Sequence, residues 1–599
     1  MSEVLNRINA LRTRMRETGL SAWVALTGDP HAGEYLPADW AVRRYLSGFT
    51  GSAGTLVVTL EKAALWTDSR YWDQAKRELE GSTISLMRDG DPATASVVDW
   101  MLENLSSGDT VGIDAASITA CAYDRLETQL AAAEIALVDD AQMIDSIWTD
   151  RPAARSEAVF AFETAQQPRR MKLERVREAV GKAGAEALVL SAREDIAWLT
   201  NLRGGDIPCT PVFTAHLLVL EDGATLYIDA SKVNADIRDS LAEDGISLAP
   251  YGEAFADIAR QCEGLKVFVD SKKICARLYE TLVMQETVEI VKGIQPTTLM
   301  KSRKSEAELS ALRETMLEDG AAMVELLAWI DEQLREERPF TERDVSDKLL
   351  TLRRARAGFI EPSFTTIAAF GANAAEPHYT PKAEGSASVT RGEMLLIDSG
   401  GQYTGGTTDI TRTVAIGDVS RAMKRDYTAV LRAHIALAML HFPRGAWGAQ
   451  LDTAARLPLW EIGADYGHGT GHGVGFCLSV HEGPVSISPR SGTSPQARVE
   501  TGLVLSNEPG VYRTGRWGVR IENLVTPVVA DYLPDQTSEF LNFETLTLCP
   551  IDTRMILTAM MTPVEIWWVN DYHKRVREAL MPRVSGKAAQ WLMRATEII

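Results

Sequence analysis

The stretch between residues 398 and 522 constrains this chain more than any other part. It places four carboxylates and one imidazole in short segments rich in glycine or β-forming residues: Asp398, Asp409, His472, Glu508 and Glu522. An oxygen-rich set with a single nitrogen suits Mn²⁺, Co²⁺, Zn²⁺ or Fe²⁺ and is too hard for copper(I). Four carboxylates carry too much negative charge for one dication and would repel one another without metal. The sequence therefore predicts a site for two adjacent divalent ions, roughly 3.5–4 Å apart.

The five residues lie in the segments MLLIDSGG, TTDITRT, HGTGHGVG, SNEPGVY and GVRIEN, in that order. These segments resemble the metal-binding motifs of the pita-bread metallopeptidases, the superfamily of methionine aminopeptidase, prolidase, aminopeptidase P and creatinase. The spacing of Asp398 and Asp409 is similar to that of two aspartates which this superfamily places on neighbouring strands. One such segment would be weak support, whereas five in the same order make the resemblance specific.

The resemblance also implies a role for each residue. Asp398 would bind one ion, His472 and Glu508 would bind the other, and Asp409 and Glu522 would bridge the two. A water or hydroxide between the ions would have a lowered pKa and act as the nucleophile, and Glu508 would also carry a proton to the leaving nitrogen. Mn²⁺ is the expected metal, with Zn²⁺ and Co²⁺ as alternatives. The competing interpretation of Asp398 and Asp409 as turn-forming residues beside glycine does not explain the three residues that follow.

Three further histidines lie in similar segments: His378 in EPHYT, His468 in HGTGH and His481 in VHEGP. The resemblance implies that His378 and His481 line the substrate site, where they polarise the scissile carbonyl and stabilise the developing oxyanion. His468 would line the pocket nearby. A single histidine is more often a structural residue, so the alternative for each is an ordinary packed side chain.

Two arginines are candidates for the same site. Arg520 lies two positions before Glu522, so the two side chains would share one face of a strand. The resemblance implies that Arg520 pairs with an acidic ligand; the alternative is a surface charge. Arg70, in TDSRY, resembles a residue that three-domain members of the superfamily bring to the substrate from their first domain.

The N-terminal half contains a degenerate repeat. Each copy reads as a helix, an apolar strand, a short helix and two strands joined by a polar turn, which predicts an α/β unit with a mixed, covered sheet. We place the first creatinase-like domain at 1–155 and the second at 156–300, with RPAARSE and KSRKSE as polar boundaries. A pita-bread metallopeptidase domain would follow at 301–535 and a helical extension at 536–599. The expected fold class is therefore multidomain, α/β followed by α+β.

The region after residue 300 has its own local signals. Ser305 and Glu308 form a capping-box pattern that opens a long helix. The segment from GEMLLID to TRTVAIG reads as two strands joined by a glycine-rich turn, with Asp398 and Asp409 on the strands. Two further helices follow, so helices packed on an antiparallel, curved sheet are expected.

The resemblance extends over nearly the whole chain. SGFTGSAGT, WTDSRYW, AWLTNLRGGD and FETLTLCPIDTRMI resemble segments of the long, three-domain form of aminopeptidase P. This implies a metalloaminopeptidase that cleaves the bond between any N-terminal residue and a penultimate proline, with such peptides as its partners. A homodimer is also expected. The aromatic tail residues Trp567, Trp568, Tyr572 and Trp591 would form a dimer surface or pack on their own domain.

Two other functions compete with this one. Prolidase, which acts on Xaa-Pro dipeptides, belongs to the same superfamily, but the length and tail of this chain argue against it. The fold also serves as a non-catalytic peptide- or histone-binding module that has lost its ligands. Retention of all five ligand positions and of the histidines argues against that function.

Composition excludes some partners and indicates a compartment. The 82 acidic and 62 basic residues give a net charge of −20, which argues against nucleic acid or an anionic membrane as the main partner. The six cysteines are scattered without CxxC spacing, as expected of free thiols in a reducing compartment. The N-terminus reads as an amphipathic helix, and no apolar run approaches the ~20 residues that span a bilayer. A cytoplasmic chain is expected.

Overall fold

The two copies of the N-terminal repeat form two six-stranded sheets with the same strand order, in a computed structural model that describes residues 2–164 and 167–599. Together they make up one compact unit, Met1–Thr298. The first copy contains the strands β1 Ala22–Leu26, β2 Thr55–Thr59, β3 Ala63–Thr67, β4 Ile84–Arg88, β5 Thr110–Ile113 and β6 Ala136–Asp139. Its helices are α1 Ser2–Thr18, α2 Val42–Ser47, α3 Trp72–Glu78, α4 Val97–Asn104, α5 Ala120–Ala131 and α6 Gln142–Asp145.

The second copy repeats this plan. Its strands are β7 Phe160–Ala161, β8 Ala187–Leu190, β9 Leu202–Arg203, β10 His216–Val219, β11 Ala224–Tyr227, β12 Ile246–Ala249, β13 Lys266–Val269 and β14 Glu289–Lys292. Its helices are α7 Arg169–Lys182, α8 Arg193–Thr200, α9 Ala235–Glu243, α10 Ala254–Gln261 and α11 Ala276–Val283. The orders β4-β3-β2-β1-β5-β6 and β12-β11-β10-β8-β13-β14 correspond strand for strand. Both sheets mix parallel and antiparallel pairs, which confirms the predicted mixed α/β fold.

Apolar residues on both faces of the first sheet explain why helices cover it on both sides. In β1, Trp23 and Ala25 point to the core under α1, whereas Ala22 and Val24 point to the core under α4 and α5. The helix α1 contributes a buried stripe of Ile8, Leu11 and Met15. The strand period of two and the helix period of 3.6 therefore meet in one layered core.

A buried polar cluster lies within this N-terminal unit. His31 bonds through Nδ1 to the carbonyl oxygen of Ser191 and through Nε2 to the hydroxyl of Tyr251, both at 2.8 Å. Its ring stacks on that of His216 with the centroids 4.5 Å apart. Burial, reinforced by the nearby Arg193 charge, lowers the pKa of His216 to about 3 and that of His31 well below its usual range. Both histidines are therefore neutral.

The second compact unit, Leu299–Ile599, is α+β. Its helices, with the one that leads into it, are α12 Pro296–Ser302, α13 Glu306–Arg335, α14 Glu342–Arg354, α15 Arg421–Ala438, α16 Gly448–Trp460, α17 Pro563–Leu580 and α18 Gly586–Ala595. Its strands are β15 Phe359–Pro362, β16 Ile367–Phe370, β17 Glu393–Ser399, β18 Gly401–Tyr403, β19 Gly406–Thr407, β20 Ile410–Ile416, β21 Phe442–Pro443, β22 Gly471–Gly473, β23 Glu482–Ile487, β24 Leu505–Asn507, β25 Gly510–Arg513, β26 Trp517–Arg520, β27 Asn523–Val529 and β28 Phe540–Thr545. The sheets β16-β17-β20 and β21-β28-β27-β24-β22-β23 are antiparallel, as predicted.

The capping box at Ser305 and Glu308 opens the long helix α13, as predicted. Two other details differ from the sequence prediction. The predicted pair of strands around the glycine-rich turn is instead four strands, because the turn folds into the additional short hairpin β18–β19. Asp398 lies on β17, whereas Asp409 lies one residue before β20.

The C-terminal extension packs on the rest of the second unit. Trp568 and Tyr572, on α17, are buried in one core with α15, whereas Trp567 is 60% exposed. Adjacent side chains on a helix point about 100° apart, so one tryptophan can be covered while its neighbour is exposed. All six cysteines lie in the described ranges, and none of them forms a disulfide bond. None of the helices in the described ranges combines the length and apolar character needed to cross a bilayer.

Candidate metal centre

The predicted ligand residues cluster in the C-terminal unit. Asp409, His472 and Glu522 each offer a ligand atom within 4.8 Å of the others. The Nε2 atom of His472 lies 3.5 Å from Oδ2 of Asp409 and 3.4 Å from Oε1 of Glu508. Its Nδ1 atom donates to the carbonyl oxygen of Gly473 at 2.9 Å, which directs Nε2 toward the carboxylates.

Strand register brings three of the carboxylates together. Asp398 on β17 lies opposite Thr411 on β20, and Thr411 in turn forms a bridge with Glu522. The Thr411 hydroxyl donates to Oε2 of Glu522 at 2.7 Å. Asp409 precedes β20 by one residue and so enters the same space from the start of that strand.

A close approach of two strands brings His472 beside Glu508. A Cβ atom on Gly471 would lie 2.0 Å from the carbonyl oxygen of Ser506, so only glycine allows β22 to approach β24 at this point. The Ser506 hydroxyl accepts a hydrogen bond from the amide of His472 at 2.9 Å. The amide of Glu508 donates to the carbonyl oxygen of Thr470 at 2.8 Å.

The cluster carries an excess of negative charge, and this shifts the pKa values of its members. Burial and then mutual repulsion raise the pKa of Glu522 well above its usual range, and burial also raises the pKa values of Asp398 and Glu508. Burial would lower the pKa of His472, but its hydrogen bond to Asp409 and the Glu508 charge outweigh that effect and raise the pKa to about 9. Bound cations would relieve this repulsion.

The donor atoms fit divalent metal. Oδ1 of Asp398 and Oδ1 of Asp409 are buried and have no hydrogen-bond partner. Buried carboxylate oxygens are normally satisfied, and a metal ion is one way to satisfy them. Four carboxylates and one imidazole whose Nε2 faces them form a donor set that suits hard or borderline dications.

Arg520 links Asp398 of this cluster to Tyr512 and Pro377. Its guanidinium donates to Oδ2 of Asp398 at 2.5 Å, to the hydroxyl of Tyr512 at 2.5 Å and to the carbonyl oxygen of Pro377 at 3.2 Å. The Tyr512 hydroxyl lies 2.8 Å from Nε2 of His468. Since Arg520 donates to Tyr512, the hydroxyl proton is free to reach His468.

Tyr512 was missed by the sequence analysis. It lies four residues after Glu508 on β25, and β25 pairs with β26, the strand that ends at Arg520. A prediction of the β25–β26 hairpin would have been the signal that finds it. Burial raises the pKa of Tyr512 to about 12, so the phenol stays protonated.

His481 contacts His472, and the residue that follows it forms buried ion pairs with two lysines. Its ring meets that of His472 edge to face, with the centroids 4.3 Å apart. The next residue, Glu482, pairs with Lys301 at 2.9 Å and also with Lys304. Both lysines are buried, although the segment KSRKSE reads as a polar boundary in the sequence.

The remaining candidates are placed as follows. His378 lies in the loop between β16 and β17, next to Pro377, whose carbonyl oxygen Arg520 binds. Arg70 belongs to the N-terminal unit, where its guanidinium makes two hydrogen bonds to Asp68 at 2.7 and 2.8 Å.

Known protein families match almost the whole chain. Residues 310–527 match metallopeptidase family M24, and residues 539–599 match the C-terminal region of peptidase M24. Residues 7–147 and 150–308 each match the creatinase/prolidase N-terminal domain. Aminopeptidase P2 of Arabidopsis thaliana is 38% identical over 98% of this chain and 88% of its own length. The chain belongs to metallopeptidase family M24.

Two further relatives span almost the full chain. Xaa-Pro aminopeptidase 1 of Dictyostelium discoideum is 37% identical, over 98% of this chain and 96% of its own. The crystal structure of X-prolyl aminopeptidase from Caenorhabditis elegans, described as a cytosolic enzyme with a di-nuclear active site, is 33% identical. It covers 100% of both chains with a TM-score of 0.95, which confirms the predicted fold class and family resemblance.

Proposed function

We propose that this protein is an Xaa-Pro aminopeptidase, a metalloexopeptidase that removes an N-terminal residue preceding proline. One observation carries this proposal: four carboxylates and His472 converge in a chain similar along its whole length to enzymes so named. In proline the scissile nitrogen bears no hydrogen, so recognition depends on the rest of the proline unit and the free N-terminus.

We propose that Asp398, Asp409, His472, Glu508 and Glu522 hold two divalent metal ions. The unpartnered buried oxygens and the raised carboxylate pKa values support this assignment. The ions would supply Lewis-acid polarisation of the substrate carbonyl and a water of lowered pKa. Mn²⁺ is the proposed metal, and Zn²⁺ and Co²⁺ are its alternatives; elemental analysis of the purified protein distinguishes them.

The protein's own groups would bind the peptide and move protons. We assign His378 and His481 as donors to the scissile carbonyl and His468 as a pocket-lining residue, supported by the position of His481 over His472. Glu508 would carry the proton to the leaving nitrogen. Arg520 would hold Asp398 in place, and Arg70 would contact the substrate.

Peptide kinetics test the function. Ala-Pro-Ala should be cleaved with a higher kcat/KM than Ala-Pro, since an aminopeptidase P leaves room beyond the proline. Ala-Ala-Ala should be cleaved with a much lower kcat/KM than Ala-Pro-Ala, because the fixed φ of proline presents the scissile bond already oriented. Preference for Ala-Pro would instead identify a prolidase, and equal rates on the two tripeptides would overturn proline specificity. Binding of these peptides without cleavage would identify a non-catalytic binding protein.

We also propose a homodimer formed through the catalytic half. Arg432 pairs with both Glu461 and Glu565, at 2.7 and 3.1 Å, so the end of α16 and the start of α17 are neighbours. Four large apolar side chains around them are exposed: Leu457, Trp460, Val564 and Trp567. Exposed apolar groups of this kind are typical of an interface. Light scattering should show that Trp567→Glu yields monomers, while Met284→Glu, at an even more exposed apolar residue of the other unit, leaves the dimer intact.

We propose functional domains at 1–155, 156–300, 301–535 and 536–599, the last a helical extension that contributes Val564 and Trp567 to the dimer surface. A cytoplasmic location is supported by the cytosolic relative, and the net charge of −20 is consistent with neither nucleic acid nor membrane as a partner. Cell fractionation of the tagged protein tests the location.

A further inference from the structure

A buried glutamate organises the loop that carries His378. Glu342 is the first residue of α14, and its side chain is fully buried. Oε1 accepts hydrogen bonds from the amide of Phe370 at 2.7 Å and from Nδ2 of Asn373 at 2.9 Å. Oε2 accepts from the hydroxyl of Tyr379 at 2.7 Å and from the amide of Ala387 at 3.2 Å.

These contacts fix the start, the middle and the end of the loop between β16 and β17. Phe370 ends β16, Tyr379 follows His378 directly, and Ala387 lies near the far end. The main chain adds a further contact, since the amide of Glu342 donates to the carbonyl oxygen of Ala387 at 3.1 Å. One carboxylate thus joins parts of the chain that lie 17 residues apart in sequence, from Phe370 to Ala387.

His378 is held between two anchors. On one side, Arg520 binds both Asp398 and the carbonyl oxygen of Pro377. On the other side, the hydroxyl of Tyr379 binds Glu342. The first anchor belongs to the metal cluster, and the second comes from a helix that supplies none of its predicted ligands.

The chemistry of the contact requires a carboxylate. All four donors are neutral, and a charged acceptor makes stronger hydrogen bonds with them than a neutral one would. Glutamine would replace one oxygen by an NH₂ group, which cannot accept from either of the two donors on that side. At a fully buried position the donors left over would lose their partner without gaining water.

We propose that Glu342 is a positioning residue for His378, acting through Tyr379 and the two ends of the loop. This inference rests on the proposed role of His378 at the substrate. It assigns Glu342 no contact with the peptide or the metals.

A double-variant experiment on Ala-Pro-Ala tests the proposal. Glu342→Gln should lower kcat by about 10- to 100-fold, the range typical of groups that orient active-site residues. In a His378→Ala background the same change should lower kcat less than about 3-fold, because the residue it positions is already gone. Tyr379→Phe, which removes one of the four bonds, should show a smaller loss with the same dependence on His378. An equal loss in both backgrounds would overturn the proposal.

A matched control lies in the same helical turn. Asp344→Asn makes the same carboxylate-to-amide change, but within the described ranges the Asp344 carboxylate hydrogen-bonds only to Thr341, the cap of the helix. It should lower the unfolding midpoint slightly and leave kcat unchanged. A loss of kcat with Asp344→Asn as large as that with Glu342→Gln would show that the helix end as a whole matters, and would contradict a specific role for Glu342.

A second measurement does not depend on turnover. In protein labelled at histidine, the His378 imidazole resonance is identified by its absence from His378→Ala. Glu342→Gln and Tyr379→Phe should shift this resonance, and Asp344→Asn should not. An unshifted resonance in Glu342→Gln would overturn the positioning role, whether or not the wild type cleaves Ala-Pro-Ala. Failure of the wild type to cleave Ala-Pro-Ala would count against the proposed function instead.

Discussion

The two units of this chain each contain a group of histidines, and the charges around them differ in sign. In the N-terminal unit, His31 and His216 stack together near Arg193, and both have lowered pKa values. In the C-terminal unit, Asp409 and Glu508 surround His472 and raise its pKa to about 9. Desolvation acts to lower the histidine pKa values in both groups, so the sign of the neighbouring charge separates the packed histidines from the one assigned as a ligand.

Unpartnered atoms alone do not make this distinction. His216 Nε2 is buried without a hydrogen-bond partner, just as Oδ1 of Asp398 and Oδ1 of Asp409 are. The N-terminal cluster nevertheless pairs its one carboxylate, Asp29, with Arg193 at 2.7 Å. Four carboxylates with one arginine in contact leave the C-terminal cluster in need of cations.

The largest effect should follow from Glu522→Gln. Because Glu522 is fully buried among the other carboxylates and assigned as the bridge, both metals should be lost. Activity should fall by at least about 1000-fold, since metal ions supply several kcal/mol of transition-state stabilisation. Elemental analysis and assays on Ala-Pro-Ala measure both quantities. An active variant with wild-type metal content would remove the bridging assignment.

His481→Ala should separate catalysis from metal binding. The variant should keep its metals but lose about 2–4 kcal/mol of transition-state stabilisation, seen in kcat, if His481 is an oxyanion donor. The same change at His216 in the N-terminal cluster should leave kcat as it is in the wild type. An unchanged kcat in His481→Ala with intact metal content would reassign this histidine to structure.

Arg520→Lys should have a smaller effect. Lysine cannot reproduce the fork that holds Asp398, Tyr512 and the carbonyl oxygen of Pro377 at once. A loss of about 10- to 100-fold in kcat/KM is expected, as for other groups that orient metal ligands. Kinetics at saturating metal check it, and a wild-type value would mean that charge alone is enough.

The smallest expected effect is a loss of folding stability at acidic pH, caused by His216 in the N-terminal unit. The pKa of His216 is about 3 in the folded state, against 6.5 for an unperturbed histidine. The unfolded chain therefore binds the proton first as the pH falls, and stability is lost from about pH 6.5 downwards. By pH 5 this histidine should have cost about 2 kcal/mol.

Denaturant unfolding at pH 7 and pH 5 measures this loss. His216→Phe keeps an aromatic ring in the stack but cannot titrate, so its free energy of unfolding should fall by about 2 kcal/mol less than that of the wild type over this range. Parallel losses in the two proteins would show that His216 does not titrate as its surroundings indicate.

Local pattern was enough to predict much of the fold. The repeat, the capping box of α13 and the antiparallel sheets all follow from short-range periodicity and turn chemistry. The exposure of Trp567 and the burial of Trp568 could not be predicted in this way, because the packing of α17 against α15 decides which face of α17 is covered.

Only part of the site could be predicted for the same reason. The motif residues were found because their segments are distinctive. The Lys301–Glu482 contact joins positions 181 residues apart, and nothing local in KSRKSE indicates burial. Tyr512 and Glu342 act through tertiary contacts with Arg520 and Tyr379, which no single segment encodes.

We expect the carboxylate-rich cluster to hold two metal ions and the N-terminal histidine cluster to hold none. A titration of chelator-treated protein with Mn²⁺, followed by calorimetry and by hydrolysis of Ala-Pro-Ala, measures this. The expected result is two ions per chain, with activity restored as they bind, and the same stoichiometry in His216→Ala. A stoichiometry of one or none, or a loss of one ion in His216→Ala, would contradict the metal assignment.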